Sequence, residues 1–237
     1  MSRDAVFIGP GRQRGCRGQR LGLDIQYAVQ PRPEGLAQAF ILGRDFIGSR
    51  PAAFVLGDNL FYGRGFQELL ARAVAGTKGA TIFGYHVAEP SAYGVVEFAK
   101  DGRVLSLEEK PAQPKSNYAV PGLYFYDRDV VPLARSLKPS KRGELEITDL
   151  NRVYLEAGGL VAKRLGRGLV WFDAGSPHNL LLAAELVQVI QARQRTGIAF
   201  PEEVAYRLGY IDLRAFYALV DAMPEGEYRQ YLHSLRE

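Results

Sequence analysis

Cysteine is nearly absent from this chain. Cys16 is the single one in 237 residues, so no disulfide can close within the chain and no zinc-ligand spacing exists. That scarcity suits a reducing compartment and predicts a cytoplasmic location. The three histidines, His86, His178 and His233, stand far apart in sequence. No run reaches the roughly 18 apolar residues of a membrane span. The opening Ala5-Val6-Phe7-Ile8 is too short for a signal peptide, so no membrane partner is expected. G-x-S-x-G elbows and Walker loops are also missing. Net charge is scarce outside the first residues. The total is +4, and the five Arg and one Asp of residues 1–20 account for all of it. A body with balanced charge removes the main sign of a nucleic-acid partner.

What remains is ordinary globular text, 47% apolar and 24% charged, enough for one large domain. Residues 1–21 differ from the rest and predict an aberrant or disordered leader. Arg and Gly fill nine of the first twenty positions. Gly9-Pro10-Gly11-Arg12-Gln13-Arg14-Gly15 follows a short apolar run, as a phosphate loop does. It misses G-x-G-x-x-G by one residue, and no helical text follows. From Gly22 the pattern becomes regular. Leu23–Val29 alternates like a strand, and Leu36, Ala37, Phe40, Ile41 and Phe46 fall at helical spacing. Ala52–Leu56 is a continuous apolar run, the mark of a strand buried on both faces. A helix over 65–75 and a strand over 80–85 follow. Residues 93–99 and 103–109 predict a hairpin turned at Asp101-Gly102. Asn117–Asp127 predicts another strand, 129–137 and 146–157 predict helices, and 160–165 and 169–172 predict strands. Ser176-Pro177 opens a long helix, and 201–237 predicts short helices. The alternation implies an α/β fold with a largely parallel sheet. The expected division is a leader over 1–21, a main domain over 22–200 and a helical segment over 201–237.

Two acidic residues share one context. Asp58 follows Phe54-Val55-Leu56-Gly57, and Asp173 follows Leu169-Val170-Trp171-Phe172. Each closes an apolar strand ahead of small or polar residues and a helix. Strand carboxyl ends are where open α/β sheets bind ligands, and two carboxylates there suit a hard divalent cation such as Mg²⁺. The same residues also fit plain turn or capping Asp. Lys110, ending the strand Leu107-Glu108-Glu109, offers a compact positive charge for a phosphate, or is an exposed strand end. Gln30 carries both a donor and an acceptor for a base edge. Gly35 permits close backbone approach ahead of a helix; a simple Pro-Gly turn fits equally.

Seven segments then occur in order: Gln30–Phe40, Leu56–Asn59, Tyr93–Phe98, Leu107–Pro111, Gly122–Asp127, Arg142–Asp149 and Trp171–Gly175. Together they closely resemble the glucose-1-phosphate thymidylyltransferases, sugar nucleotidyltransferases that open dTDP-L-rhamnose synthesis. The resemblance implies a Rossmann-like nucleotidyltransferase fold with a mixed, mostly parallel sheet and C-terminal helices. It implies thymidylyl transfer from dTTP to α-D-glucose 1-phosphate in a homo-oligomer, a tetramer. Asp58 and Asp173 would hold Mg²⁺. Lys110 would contact the sugar phosphate with help from Arg142. Tyr93, Gly94, Glu109 and Val120 would line the sugar pocket, with Asn59 in the same substrate site. Gln30, Pro33 and Gly35 would face thymine. Tyr62, Gly63, Arg167, Glu203 and Arg207 would line a second, regulatory nucleotide site.

The chain departs from that family at its start. The G-G-x-G-T-R-L loop, the first strand and the elements preceding the point that matches Leu23 have no counterpart in residues 1–20. Those residues are expected to be a wrong-frame or wrong-start read, and turnover by the chain is expected to be absent or nearly so. Pro121 also replaces a usually polar residue. A non-catalytic sugar-nucleotide-binding or regulatory subunit, a defective gene product, and a cytidylyl or uridylyl transferase are the alternatives.

Overall fold

A computed structural model describes residues 4–9, 18–76 and 78–235. By its contacts the chain divides into two compact units, 1–31 with 184–237, and 32–183. In the first, β1 (Asp4–Gly9) pairs in parallel with β2 (Asp24–Val29), Asp4 opposite Asp24 and Gly9 opposite Val29. A strand thus stands inside the segment expected to be a leader without regular structure. The stretch weighed as a phosphate loop lies, past Gly9, outside the described residues. The same unit holds α7 (Pro201–Arg207), α8 (Leu213–Asp221) and α9 (Glu227–Ser234). Their apolar faces meet at Phe216, Val220 and Leu232, all fully buried. Asp212 caps α8 by accepting from the Ala215 amide at 2.7 Å, so the chain restarts there as a helix. Helix α6 (Pro177–Gln194) runs across the 183/184 boundary. Its start is capped by the Ser176 hydroxyl, which accepts from the Asn179 amide at 3.2 Å.

The larger unit opens with two short helices, α1 (Gln38–Leu42) and α2 (Arg44–Ile47), separated at Gly43. Its seven-stranded sheet comprises β3 (Ala52–Val55), β5 (Ala80–His86), β6 (Gly94–Phe98), β7 (Val104–Glu109), β8 (Tyr118–Ala119), β9 (Leu123–Tyr126) and β10 (Leu160–Arg164). The order is β3-β9-β5-β8-β6-β7, with β10 also on β5. The sheet is mixed, but mostly parallel pairing is corrected. Among the described pairs of this sheet β10 with β5 is parallel and the rest are antiparallel. β9 inserts against the grain between β3 and β5, and β8 between β5 and β6, so strands that run the same way are parted; β6 and β7 form a hairpin.

Three further expectations change. The strand expected over 117–127 is broken into β8 and β9 at Val120-Pro121-Gly122. Pro121 has no amide proton for a ladder, and Gly122 packs where a Cβ would sit 2.6 Å from the Leu56 side chain. Strand β3 is not buried on both faces. Its side chains alternate, so Phe54 packs on Phe40 at 5.2 Å while Val55 is 55% exposed at the end of the sheet order. After Asp58 the chain enters a strand rather than a helix. β4 (Asn59–Gly63) pairs antiparallel with β11 (Leu169–Asp173), and α3 (Phe66–Ala75) follows.

The sheet's two faces bury separate clusters. Ile82, Val96, Tyr124 and Tyr126 pack with Phe40, with α4 (Val130–Ser136) through Val130, and with α5 (Ile147–Glu156) through Leu150 and Tyr154. Phe83, Leu123 and Phe125 pack with Ala73 of α3 on the other side. Alternate residues of β5 and β9 thus anchor opposite layers. A fully buried side chain such as Ile82 contributes about 1.5–3 kcal/mol. A buried polar link in the first layer is satisfied, because the Tyr126 hydroxyl donates to Asn151 Oδ1 at 2.7 Å.

Candidate active site

The antiparallel register sets the two acids together. Asp173 ends β11 directly opposite Asn59, so Asp58 is its diagonal neighbour. The Ala174 amide donates to the Asp58 carbonyl at 2.7 Å and locks the two chain ends to each other. Both carboxylates turn toward the bare α-carbon of Gly175. A Cβ there would lie 3.1 Å from Asp173 Oδ1 and 3.3 Å from Asp58 Oδ2. Asp173 Oδ1 also accepts from the Gly175 amide at 3.2 Å. Two hard anionic oxygens beside one glycine suit a divalent cation, and two ligands leave positions open for other oxygens.

Asn59 connects this pair to its surroundings. Its Nδ2 donates to Asp58 Oδ1 at 2.8 Å, and its Oδ1 accepts from Trp171 Nε1 at 2.7 Å and from the Gly122 amide at 2.8 Å. Trp171 is buried under Tyr93 and Tyr85, with ring centroids 5.2 and 5.7 Å away in edge-on geometry. Tyr93 thereby stands beside the acids. Burial first, and then the Asp173 charge, hold its phenol above the ordinary value.

The hairpin carries the neighbouring pocket. Gly94 of β6 pairs with Glu109 of β7, and its carbonyl accepts from the Val120 amide at 2.7 Å. A Cβ on Gly94 would lie 3.1 Å from Thr148 Oγ1, 3.4 Å from Glu109 Oε2 and 3.9 Å from Val120. Glycine therefore keeps open a space walled by those three residues. Buried Thr148, in the first turn of α5, donates to Glu109 Oε2 at 2.5 Å. Lys110 takes a left-handed φ of 42° where the strand ends, its amide bonded to the Tyr93 carbonyl at 3.0 Å. A non-glycine residue held there is strained backbone, and such strain concentrates at functional sites.

A loop crossing completes this side. Gly35 has φ 99°, and a Cβ would sit 2.4 Å from the Leu145 carbonyl oxygen. The Leu145 amide donates to the Glu34 carbonyl at 2.8 Å, and the Ala37 amide donates to the Leu145 carbonyl at 3.0 Å. Pro33 and Gly35 are thus fastened to the Arg142–Asp149 segment. Arg142 itself is held by Glu144 at 2.9 Å and by Glu146 at 3.1 Å. Glu146 is buried and also accepts from the Ser140 hydroxyl at 2.9 Å.

A carboxylate pair beside a space walled by Thr148, Glu109 and Val120, with a strand-end lysine, suits phosphate-bearing ligands. Comparison with known proteins decides which family this is. The nucleotidyl transferase family matches residues 12–189. A glucose-1-phosphate thymidylyltransferase of Xanthomonas campestris is 50% identical over 218 residues, 92% of this chain and 74% of that protein. One of Mycobacterium tuberculosis is 51% identical over 220 residues, covering 93% and 76%. This chain belongs to the glucose-1-phosphate thymidylyltransferase family. The crystal structure of a Bacillus anthracis protein described as such an enzyme, solved with a sucrose, superposes with a TM-score of 0.69 at 35% identity, over 76% of this chain and 74% of that one.

Within this thymidylyltransferase fold the larger unit brings together Asp58, Asn59, Tyr93, Gly94, Glu109, Lys110, Val120 and Asp173 around the β4–β11 ribbon and the β6–β7 hairpin. Tyr62 and Gly63 occupy the other end of that ribbon, where Gly63 pairs with Leu169, two residues from Arg167. Gln30, Glu203 and Arg207 belong to the smaller unit. There Arg207 pairs with Glu203 at 2.7 Å, and the Tyr231 hydroxyl donates to the same carboxylate at 2.7 Å. Sequence reasoning missed Thr148 and Trp171. Both lie inside segments that carried the resemblance, but nothing in their spacing marks a buried hydroxyl or an indole N–H as a partner for a distant side chain.

Proposed function

We propose that this site transfers a thymidylyl group from dTTP to α-D-glucose 1-phosphate, giving dTDP-glucose and pyrophosphate, the entry to dTDP-L-rhamnose. The observation that carries the reading is the Asp58–Asp173 pair facing one gap, in a chain of this family. An oxygen of the sugar phosphate attacks the α-phosphorus in line while the bond to the pyrophosphate oxygen breaks. The nucleophile is already an anion, so the protein need not remove a proton. Its task is positioning and charge neutralisation. Asp58 and Asp173 would hold Mg²⁺, which when bound offsets phosphate charge and orients the oxygens.

Lys110 supplies a point charge to the sugar phosphate, and Arg142, held by two glutamates, joins it. Thr148 occupies one lone pair of Glu109 and leaves the rest of that carboxylate to accept from glucose hydroxyls. Tyr93 and Val120 wall the sugar, Gly94 keeps its space open, and Asn59 borders the same subsite. Pro33 and Gly35 face thymine. Tyr62, Gly63 and Arg167 belong to a regulatory nucleotide site. The exposed Leu180, Leu181 and Val189 of α6, each more than half accessible, support assembly into a tetramer. No helix among the described residues is long and apolar enough to cross a membrane.

The test titrates the chain calorimetrically with dTDP-glucose, with and without Mg²⁺, and follows pyrophosphate release from dTTP, CTP and UTP in parallel. Binding that requires Mg²⁺, disappears in Asp173→Asn and favours the thymine nucleotide is the expected result. Equal binding with and without divalent ion, or in Asp173→Asn, overturns it.

A further inference from the structure

We infer that Trp171 and Asn59 form a positioning relay for Asp58, in which the indole N–H holds the amide that turns one carboxylate oxygen toward Asp173. The inference rests on the reading of Asp58 as a cation ligand. Asp58 is exposed on its turn, and an exposed carboxylate free of partners samples several rotamers. Here Oδ1 is taken by Asn59 Nδ2 at 2.8 Å, which leaves Oδ2 on the Gly175 side, the side where Asp173 Oδ1 also lies. The direction of that donor is fixed in turn. Asn59 Oδ1 accepts from Trp171 Nε1 at 2.7 Å and from the Gly122 amide at 2.8 Å. Two donors use both lone pairs of an amide oxygen, so the side chain cannot flip without leaving two N–H groups unpaired. Trp171 is only 7% exposed and is gripped edge-on by Tyr85 and Tyr93.

One amide therefore ties the Gly122 turn, strand β11 and the Asp58 turn to one orientation. Its carbonyl is fully committed to the protein, which makes Asn59 a residue that acts through Asp58. The aromatic contact adds a second consequence. Tyr93 walls the sugar pocket and touches the same indole, so the pocket and the carboxylate pair share one rigid element. Partners of this outer kind are worth about 10–100-fold in metal affinity or activity.

Trp171 is the chain's single tryptophan. Biosynthetic replacement by 3-benzothienylalanine thus exchanges one N–H for sulfur and keeps the ring. The measurement is Mn²⁺ affinity of the full chain by electron paramagnetic resonance, with melting temperature and glucose 1-phosphate affinity alongside. The expected result is a Mn²⁺ dissociation constant raised about tenfold, with sugar-phosphate affinity and melting temperature near those of the parent. A residue that merely supports the fold would move all three. Asn59→Leu reproduces the loss, and Trp171→Phe adds nothing further in the Asn59→Leu background. Unchanged Mn²⁺ affinity in the analogue, or additive losses in the double variant, overturns the relay. Asp58→Asn separates the two layers. If it binds Mn²⁺ as tightly as the parent, the ligand assignment fails and takes the relay with it. If it loses Mn²⁺ while the analogue does not, the relay alone is wrong.

Discussion

Gly175→Ala sets two effects of one methyl group against each other. The added carbon lies 3.1 Å from Asp173 Oδ1 and 3.3 Å from Asp58 Oδ2, close contacts that the surrounding groups can relieve by a few tenths of an ångström. Gly175 does not have a left-handed backbone, so alanine fits its conformation. Replacing glycine at such a position reduces unfolded-state entropy and stabilises by about 0.4–1 kcal/mol. The close contact subtracts from that, so folding stability is expected to change by less than about 1 kcal/mol. Cation binding responds in the other direction. A bound Mg²⁺ needs oxygens at about 2.0–2.1 Å, and the methyl fills the gap both oxygens face. An ion there must give up one carboxylate or push the pair apart. A tenfold loss of affinity corresponds to about 1.4 kcal/mol, and at least that is expected. The assay pairs Mn²⁺ titration with urea unfolding on the same variant. If affinity is unchanged while the protein stays folded, the cation does not sit between these two oxygens.

Three other substitutions or conditions follow from the same geometry. Thr148→Val keeps the shape of a buried residue but leaves Glu109 Oε2 without its donor; stability should fall by about 1–3 kcal/mol, and the dissociation constant for glucose 1-phosphate should rise in a calorimetric titration. Gly35→Ala places a Cβ on the Leu145 backbone at a left-handed φ and should cost about 2 kcal/mol or more by chemical denaturation; a smaller cost would mean that the loop crossing is loose. Burial raises the phenols of Tyr124, Tyr126 and Tyr154 above the ordinary 10.0. Their folded values lie above the unfolded ones, so this stabilisation is complete below pH 10 and is lost as pH rises through the folded values. Unfolding curves should stay level up to about pH 9 and decline above about pH 10, and a profile still flat at about pH 11 would contradict the burial of these rings.

The sequence by itself determined the elements whose signals are local. Strand alternation, the Asp101-Gly102 turn, the Ser176-Pro177 cap and the spacing of Leu150 and Tyr154 each report on neighbours along the chain, and each appears where those neighbours predict. It also pointed to the candidate residues, since Asp58, Lys110, Glu109 and Asp173 stand in segments that keep their order. Tertiary structure decided pairing. Nothing local to Leu123–Tyr126 says that β9 inserts antiparallel between β3 and β5, because strand direction depends on connections that no window of sequence contains. The same holds for β4, whose five residues become a strand only because β11 lies opposite, and for Val120-Pro121-Gly122, whose break is set by the Leu56 side chain and a missing amide proton. The partners of the site belong to this second class. Thr148 reaches Glu109 across 39 positions and Trp171 reaches Asn59 across 112. A hydrogen bond needs two groups within about 3 Å at the right angle, and only the folded chain sets that distance.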